Sequence, residues 1–411
     1  MPSPRKLWHD ADFVKLWFAQ ATGLVGQQFS VLAVPLVAIV TLHTDPATVA
    51  LLGFAFNAPW LVFGLFIGVF VDRWPRRKLL IGSDLLRAAA FATIPVAAVL
   101  NVLSIEQLFV LALIVGTLDM CWLTAYRTYV PAVVPEEHRA QAYALVGASD
   151  GVTRTAAPSL AGGLIQLLGP PAGIGVTSGT YVASAIANAL IKRADEPRPE
   201  ANPHPVQAFK EGLAHAWQQR TIRALALSEA TYIFFWASMQ SVLLVFLTDD
   251  LGLAPTVIGL VFTLGTIGGL VGAALAKPVR TWLGESRAIV VGNVLRSVGM
   301  ALMPLAAILG PLAVPALMVT RLVNSFGWTV WEVHRETVQQ RLLADAVRGR
   351  VNGTVLFLGG AALAAGMAAG AGIVAVVGVV PTLVIGGVGT LLATAWLPQM
   401  SSSKSPRIQA R

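Results

Sequence analysis

The sequence predicts an all-α polytopic membrane protein, with twelve transmembrane helices in two pseudo-symmetric six-helix halves. Three observations carry this. The chain of 411 residues is 55% hydrophobic and only 12% charged, against about 25% charged residues in a typical soluble domain. The apolar residues gather into twelve runs, each near the roughly 20 residues that cross a bilayer. The bases punctuate alternate connections between the runs. The net charge of +8 therefore reads as membrane topology and not as a nucleic-acid surface.

The runs are 14–41, 47–71, 79–101, 106–129, 140–168, 172–192, 223–248, 255–276, 287–309, 312–333, 350–373 and 376–397. Gly or Pro interrupts several, which membrane helices tolerate where neighbours satisfy the backbone. The connections after the odd-numbered runs read LHTDPAT, NVLSIE, LLGPPAG, TDDLGLAP, ILGPL and VVGVVP, without a Lys or Arg. The others hold most of the 29 bases: Arg5 and Lys6, Arg73 to Lys78, Arg139, Lys192 to Arg223, Lys277 to Arg287, Arg335 to Arg350, and Lys404 to Arg411. Bases stay on the cytoplasmic side, so both termini are expected in the cytoplasm, in a bacterial inner membrane. The N-terminal MPSPRKLWHDADF shows no small-residue cleavage pattern, and the first run is expected to be retained.

The longest break, 193–222, begins Pro-rich. It then places Phe209, Leu213 and Trp217 four residues apart, the pattern of an amphipathic helix on the membrane surface or of a solvated linker helix. It divides the chain into a first half (1–192), a linker (193–222), a second half (223–397) and a tail (398–411). The halves echo each other. DLLRA at 84–88 resembles NVLRS at 293–297. Arg87 and Arg296 lie 209 positions apart, as do Arg139 and Arg348, while Arg127 and Arg335 lie 208 apart. Parallel six-span repeats with a midplane site between them are one architecture of secondary transporters.

Between the second and third runs stands GVFVDRWPRRK, 68–78. Its bases suit anionic headgroups, but these do not explain Asp72 at the boundary. The pattern resembles the loop between helices 2 and 3 of the major facilitator superfamily, with Gly68, Asp72, Arg73, Arg77 and Lys78 matching. Trp74-Pro75 stands in place of the usual Gly-rich turn. The resemblance implies that Asp72 latches the halves on the inner side, against the backbone near Val351 and against Arg127. A carboxylate favours both a helix N-terminus and a guanidinium. KPVRTWLGESR at 277–287, the second-half equivalent, lacks the Asp. VVPEEHRAQAYAL at 133–145, LTDDLGLAPTVIGLVFTLGTIGGLVGA at 247–273 and ADAVRGRVNG at 344–353 resemble the efflux branch that includes macrolide and enterobactin exporters. RTAAPSLAGG at 154–163 resembles the superfamily's antiporter signature: Pro158, Gly162 and Gly163 fall in the motif, with Ala157 and Ala161 in place of Gly. Ordinary small-residue packing is the alternative reading.

Ionisable groups inside spans are functional hypotheses by default. Asp119, Asp150, Arg154, Glu229 and Arg321 are the coupling candidates. Arg154 is expected to neutralise either Asp119 or Asp150, the latter one turn away, and Arg321 has no acid nearby in sequence. Asp84 and Arg87 are expected to form a structural pair. Trp60, Trp236 and Trp328 are candidates to line a cavity. The histidines show no metal spacing, Cys121 stands alone, and no Walker loop or nucleophile set is present. The reading is therefore a non-enzymatic transporter without metal or cofactor, monomeric, in the lipid bilayer, with no nucleic-acid partner. It is expected to export drug-like or siderophore-like small molecules by proton antiport. Import of a nutrient or lipid-related solute, and a transporter-like sensor without flux, are the alternatives.

Overall fold

The computed structural model describes residues 5–193, 205–343 and 345–399. The Pro-rich start of the linker and most of the expected tail lie outside the described residues. So do the side chains of Asp72 and Arg348.

Every described element is helical. The long ones are α1 (Ala11–Leu36), α2 (Pro46–Phe63), α3 (Arg76–Val99), α4 (Ile105–Val133), α5 (Arg139–Leu168), α6 (Pro170–Ala189), α7 (Pro205–Gln218), α8 (Arg220–Val245), α9 (Pro255–Leu283), α10 (Glu285–Leu302), α11 (Ala313–Leu342), α12 (Asp345–Val377) and α13 (Val379–Gly389). The starts are set by local chemistry. Asp10 accepts the Asp12 and Phe13 amides at the head of α1, Ser104 caps α4, and Asp45 accepts the Ala47 and Thr48 amides ahead of Pro46 at the head of α2. Such caps replace the partners that the first amides of a helix lack.

Nine described helical stretches are long and apolar enough to cross a membrane. The chain is thus a multi-pass membrane protein. The expected runs at 140–168, 172–192 and 312–333 are also helices (α5, α6, α11), but are not among those nine. α5 and α6 are rich in Gly, Ser and Thr, and α5 and α11 carry charges, which lowers their hydropathy. Such residues suit a helix that faces other helices more than lipid. α6 packs on α1 and α3, α5 on α1 and α9, and α11 on α9 and α10. The expected second run, 47–71, is broken after Phe63 by a turn and continues as a short helix, Ile67–Asp72.

Departures from regular helix recur at one interval. π-helical turns close α1 at Val37–Thr41 and α8 at Phe246–Asp250. Positive φ occurs at His43 and Gly252, Asn101 and Gly310, and Gly169 and Gly378, and also at Gly284, whose counterpart Pro75 has a negative φ. Each of these pairs is 209 positions apart, the interval already seen between Arg87 and Arg296.

The linker helix α7 does not stand free. Glu211 pairs with Arg350 at 2.9 Å, Phe209 meets Phe357 edge-on, and Gly212 lies close against the Arg350 carbonyl. The amphipathic face expected to lie on lipid is thus partly occupied by the start of α12, although Trp217 remains 45% exposed.

Candidate functional site

Two charge clusters sit inside the helical bundle. The first joins α3, α4 and α6. Asp84 and Arg87 lie one turn apart on α3, so their side chains share a face. Arg87 donates Nη2 to Asp84 Oδ1 at 2.5 Å and Nη1 to Asp119 Oδ1 at 2.5 Å. Asp84 Oδ2 accepts from Ser184 Oγ at 2.7 Å and Asn188 Nδ2 at 3.2 Å, both on α6. The guanidinium also faces Tyr181 at 4.4 Å and Trp122 at 5.3 Å, and such faces attract cations. Asp84 is fully buried and Arg87 nearly so, while the Asp119 side chain keeps 27% of its surface open. One guanidinium thus serves two carboxylates, and the more accessible carboxylate comes from a neighbouring helix.

The second cluster joins α8, α10 and α11. Glu229 Oε2 accepts from Arg296 Nη1 at 2.9 Å and from Trp331 Nε1 at 2.8 Å. Arg296 donates Nε to Asn293 Oδ1 at 2.9 Å, and Asn293 donates to Thr394 Oγ1. Asn324 donates to the Tyr232 hydroxyl and to the Arg296 carbonyl. Tyr232, Trp331 and Trp328 surround the guanidinium at 3.9, 4.3 and 5.3 Å. Asn293 stands 209 positions after Asp84 in this copy of the arrangement. The ion pair here joins one acid to one base.

These geometries revise the expected pairings. Asp119 bonds Arg87, not Arg154. Arg154 pairs with Asp150 on its own helix at 2.9 Å, and both are substantially open. The i to i+4 spacing made the second pairing legible. The first joins α3 to α4 and leaves no sequence signal beyond two charges in adjacent runs. Arg296 was missed as a site residue although it lies inside an apolar run, 209 positions after Arg87. Glu229 is buried in the second cluster. Trp328 packs on that cluster, Trp60 lies against Gly360 of α12, and Trp236 packs half-buried on the core. Arg321 lines a narrow crevice with Leu243, Leu247, Val261, Phe262, Met303 and Leu317, and none of the three tryptophans does so.

In the loop motif, Arg77 donates to the carbonyls of Asn188 and Ala189. A cation there suits the negative end of α6. Arg76, absent from the expected set, is buried and donates to Thr128 Oγ1 at 3.1 Å. Arg73, Lys78 and Arg127 are exposed, and Gly68 faces open space.

In the span with the antiporter-like motif, α5 meets α9 closely. A side chain at Gly162 would strike the Pro255 carbonyl, and one at Gly259 would strike the Pro158 carbonyl, whereas Gly163 faces open space. Ser159 and Thr263 share a hydrogen bond of 2.7 Å, and the Thr256 amide donates to Gln166.

Comparison with known proteins places these features in context. Residues 16–239 match the sequence model of the Major Facilitator Superfamily. The chain is 28% identical over 361 residues to the multidrug efflux pump Tap of Mycolicibacterium fortuitum, covering 85% of each chain. It is 26% identical over 235 residues to macrolide efflux protein A of Streptococcus pyogenes, covering 56% of this chain and 57% of that one. An uncharacterised MFS-type transporter of Sinorhizobium fredii is 29% identical over 267 residues, which span 64% of this chain and 65% of the relative. In fold the chain resembles a bacterial homologue of the iron transporter ferroportin in its inward-facing state (TM-score 0.76, 17% identity, 95% and 98% coverage). It also resembles the nucleoside transporter NupG (TM-score 0.71, 12% identity, 95% and 99% coverage).

Proposed function

We propose that this chain, which belongs to the Major Facilitator Superfamily, exports drug-like or siderophore-like small molecules by proton antiport with alternating access. The observation that carries the reading is the sharing of Arg87 by Asp84 and Asp119. With both acids ionised the three groups sum to −1. A proton on either acid makes them neutral, and charge is expensive at this depth. Asp119, the more open acid, is the group that exchanges the proton. Asp84, held by Ser184 and Asn188, positions Arg87. The matches to Tap and macrolide efflux protein A support outward transport of small organic molecules.

The remaining architecture follows the same reading. Twelve spans form two six-helix halves, joined by the linker with α7, and both termini are cytoplasmic in a bacterial inner membrane. The 209-residue interval in π-turns and positive-φ positions supports the two halves. Asp72 latches the inner side, and the protein works as a monomer. The α5–α9 contact at Gly162 and Gly259 is the hinge on which the halves rock.

The test is accumulation of dyes, macrolides and siderophores in bacterial cells that lack their own pumps, with and without this protein and a protonophore. Lower accumulation that the protonophore abolishes is expected. Higher accumulation of any compound would turn the direction to import.

A further inference from the structure

Arg321 differs from the other arginines set within the bundle. Arg87 meets two acids and Arg296 meets one. Arg321, on α11, has no acid within ion-pairing distance among the described residues, and its Nε is buried without a hydrogen-bond partner. Its guanidinium lies over the Phe262 ring at 4.3 Å. Gly265 on α9 makes room for its stem: a Cβ there would stand 3.1 Å from the Arg321 Cβ and 3.3 Å from Nε. The other residues of its crevice are all apolar, drawn from α8 and the π-helical turn after it, α9, α11 and the turn after α10.

A guanidinium keeps its proton in proteins. An uncompensated one in a membrane interior is costly, and such groups mark substrate or ion pathways. One face of Arg321 is occupied by Phe262. Its Nη atoms, unlike Nε, are not buried and unpartnered, and they present the planar fork that carboxylates accept in bidentate fashion. Among the described residues no acid balances this charge.

We infer that Arg321 receives the carboxylate of the transported solute, whose apolar body lies against Leu243, Val261, Phe262 and Leu317 once their crevice, closed to water in this structure, opens during the cycle. The inference rests on the transport reading and narrows it: the solute is an amphipathic organic anion. Arg321 is then a substrate-binding residue and not a coupling group.

The test uses the full-length protein in maltoside detergent, which carries no phosphate, in HEPES–Tris buffer without added salt. Its thermal midpoint is titrated with octanoate, octanamide or sodium chloride. Octanoate is expected to raise the midpoint saturably and octanamide to leave it unchanged. Arg321→Gln should weaken the half-saturating octanoate concentration by about tenfold or more, the size expected for losing a charge-assisted contact. Arg321→Lys should fall between. Arg321→Gln removes an unpaired charge, so its yield should match the wild type. If it does not fold, the wild-type contrast and the Lys variant still decide. Equal responses to octanoate and octanamide, or an undiminished octanoate response in Arg321→Gln, would overturn the inference. So would a response to chloride with none to octanoate, which would make this an inorganic anion site. The export assay separates the two readings. Octanoate binding through Arg321 without extrusion of any compound refutes export alone. Extrusion confined to neutral and cationic compounds, unchanged in Arg321→Gln, refutes the anion site alone.

Discussion

Asp119 reaches Arg87 across the interface between α4 and α3, at 2.5 Å from a guanidinium that Asp84 already holds at the same distance. Two acids thus depend on one base, and they differ in exposure. This gives them separable roles in mutagenesis.

Asp119→Asn leaves the Asp84–Arg87 pair in place and removes the accessible acid. The protein is expected to insert and purify normally, with export lowered about 100-fold or more and its pH dependence flattened, the loss typical of removing one proton-transfer group. Uptake of a fluorescent substrate by inverted vesicles across a pH series measures this. An unchanged pH profile removes Asp119 from the coupling scheme.

Arg87→Gln strands a fully buried carboxylate. Breaking a buried pair from one side costs about 3–5 kcal/mol, so the variant should unfold at a clearly lower temperature. Arg154→Gln, in an open i to i+4 pair, should change stability by less than about 1 kcal/mol. Thermal unfolding of the two variants in the same detergent ranks them. Similar midpoints would contradict the burial argument.

Gly162→Ala and Gly259→Ala each place a methyl group against a backbone carbonyl of the facing helix. Both should separate α5 from α9 and reduce transport severalfold. Gly163→Ala meets open space and should behave as wild type. Transport measured at matched membrane expression distinguishes them, and equal loss in all three would point to helix propensity instead of contact.

Asp45 caps α2 outside the membrane spans. Hydrogen bonds from the Thr48 hydroxyl and amide hold its carboxyl below the ordinary 3.8. A lowered carboxylate contributes stability that is present above the unfolded value and lost as pH falls through the folded one. Asp45→Ala should therefore cost about 1 kcal/mol at pH 7, and the difference from wild type should shrink below about pH 4. Unfolding midpoints at pH 7 and pH 3.5 test the sign.

Much of this was legible in the sequence because the membrane imposes simple rules. Apolar length located the helices, and the distribution of Arg and Lys sets the orientation expected of them. The spacing of Asp150 and Arg154, and of Asp84 and Arg87, revealed pairs within one helix, since four or three residues bring side chains to one face. Pairs between helices were not legible. Asp119 with Arg87, and Glu229 with Arg296, depend on how helices turn toward each other, which no local spacing encodes. The runs at α5, α6 and α11 were found as helices too, although their polar and small residues keep them below the apolar length and composition of the other nine. Arg296 was within reach: the interval that relates Arg87 to it also relates the π-turns, where each copy of the repeat leaves regular helical geometry.

The unequal charge of the two clusters has an electrical consequence. Asp84, Arg87 and Asp119 carry −1 without a proton and zero with one, whereas Glu229 and Arg296 sum to zero. Moving one elementary charge through a full 100 mV is worth about 2.3 kcal/mol. The resting potential of the cell therefore exerts force on the first cluster only in its unprotonated form. Under the proton-antiport reading proposed above, voltage then selects among the steps of the cycle, even at equal pH on both sides.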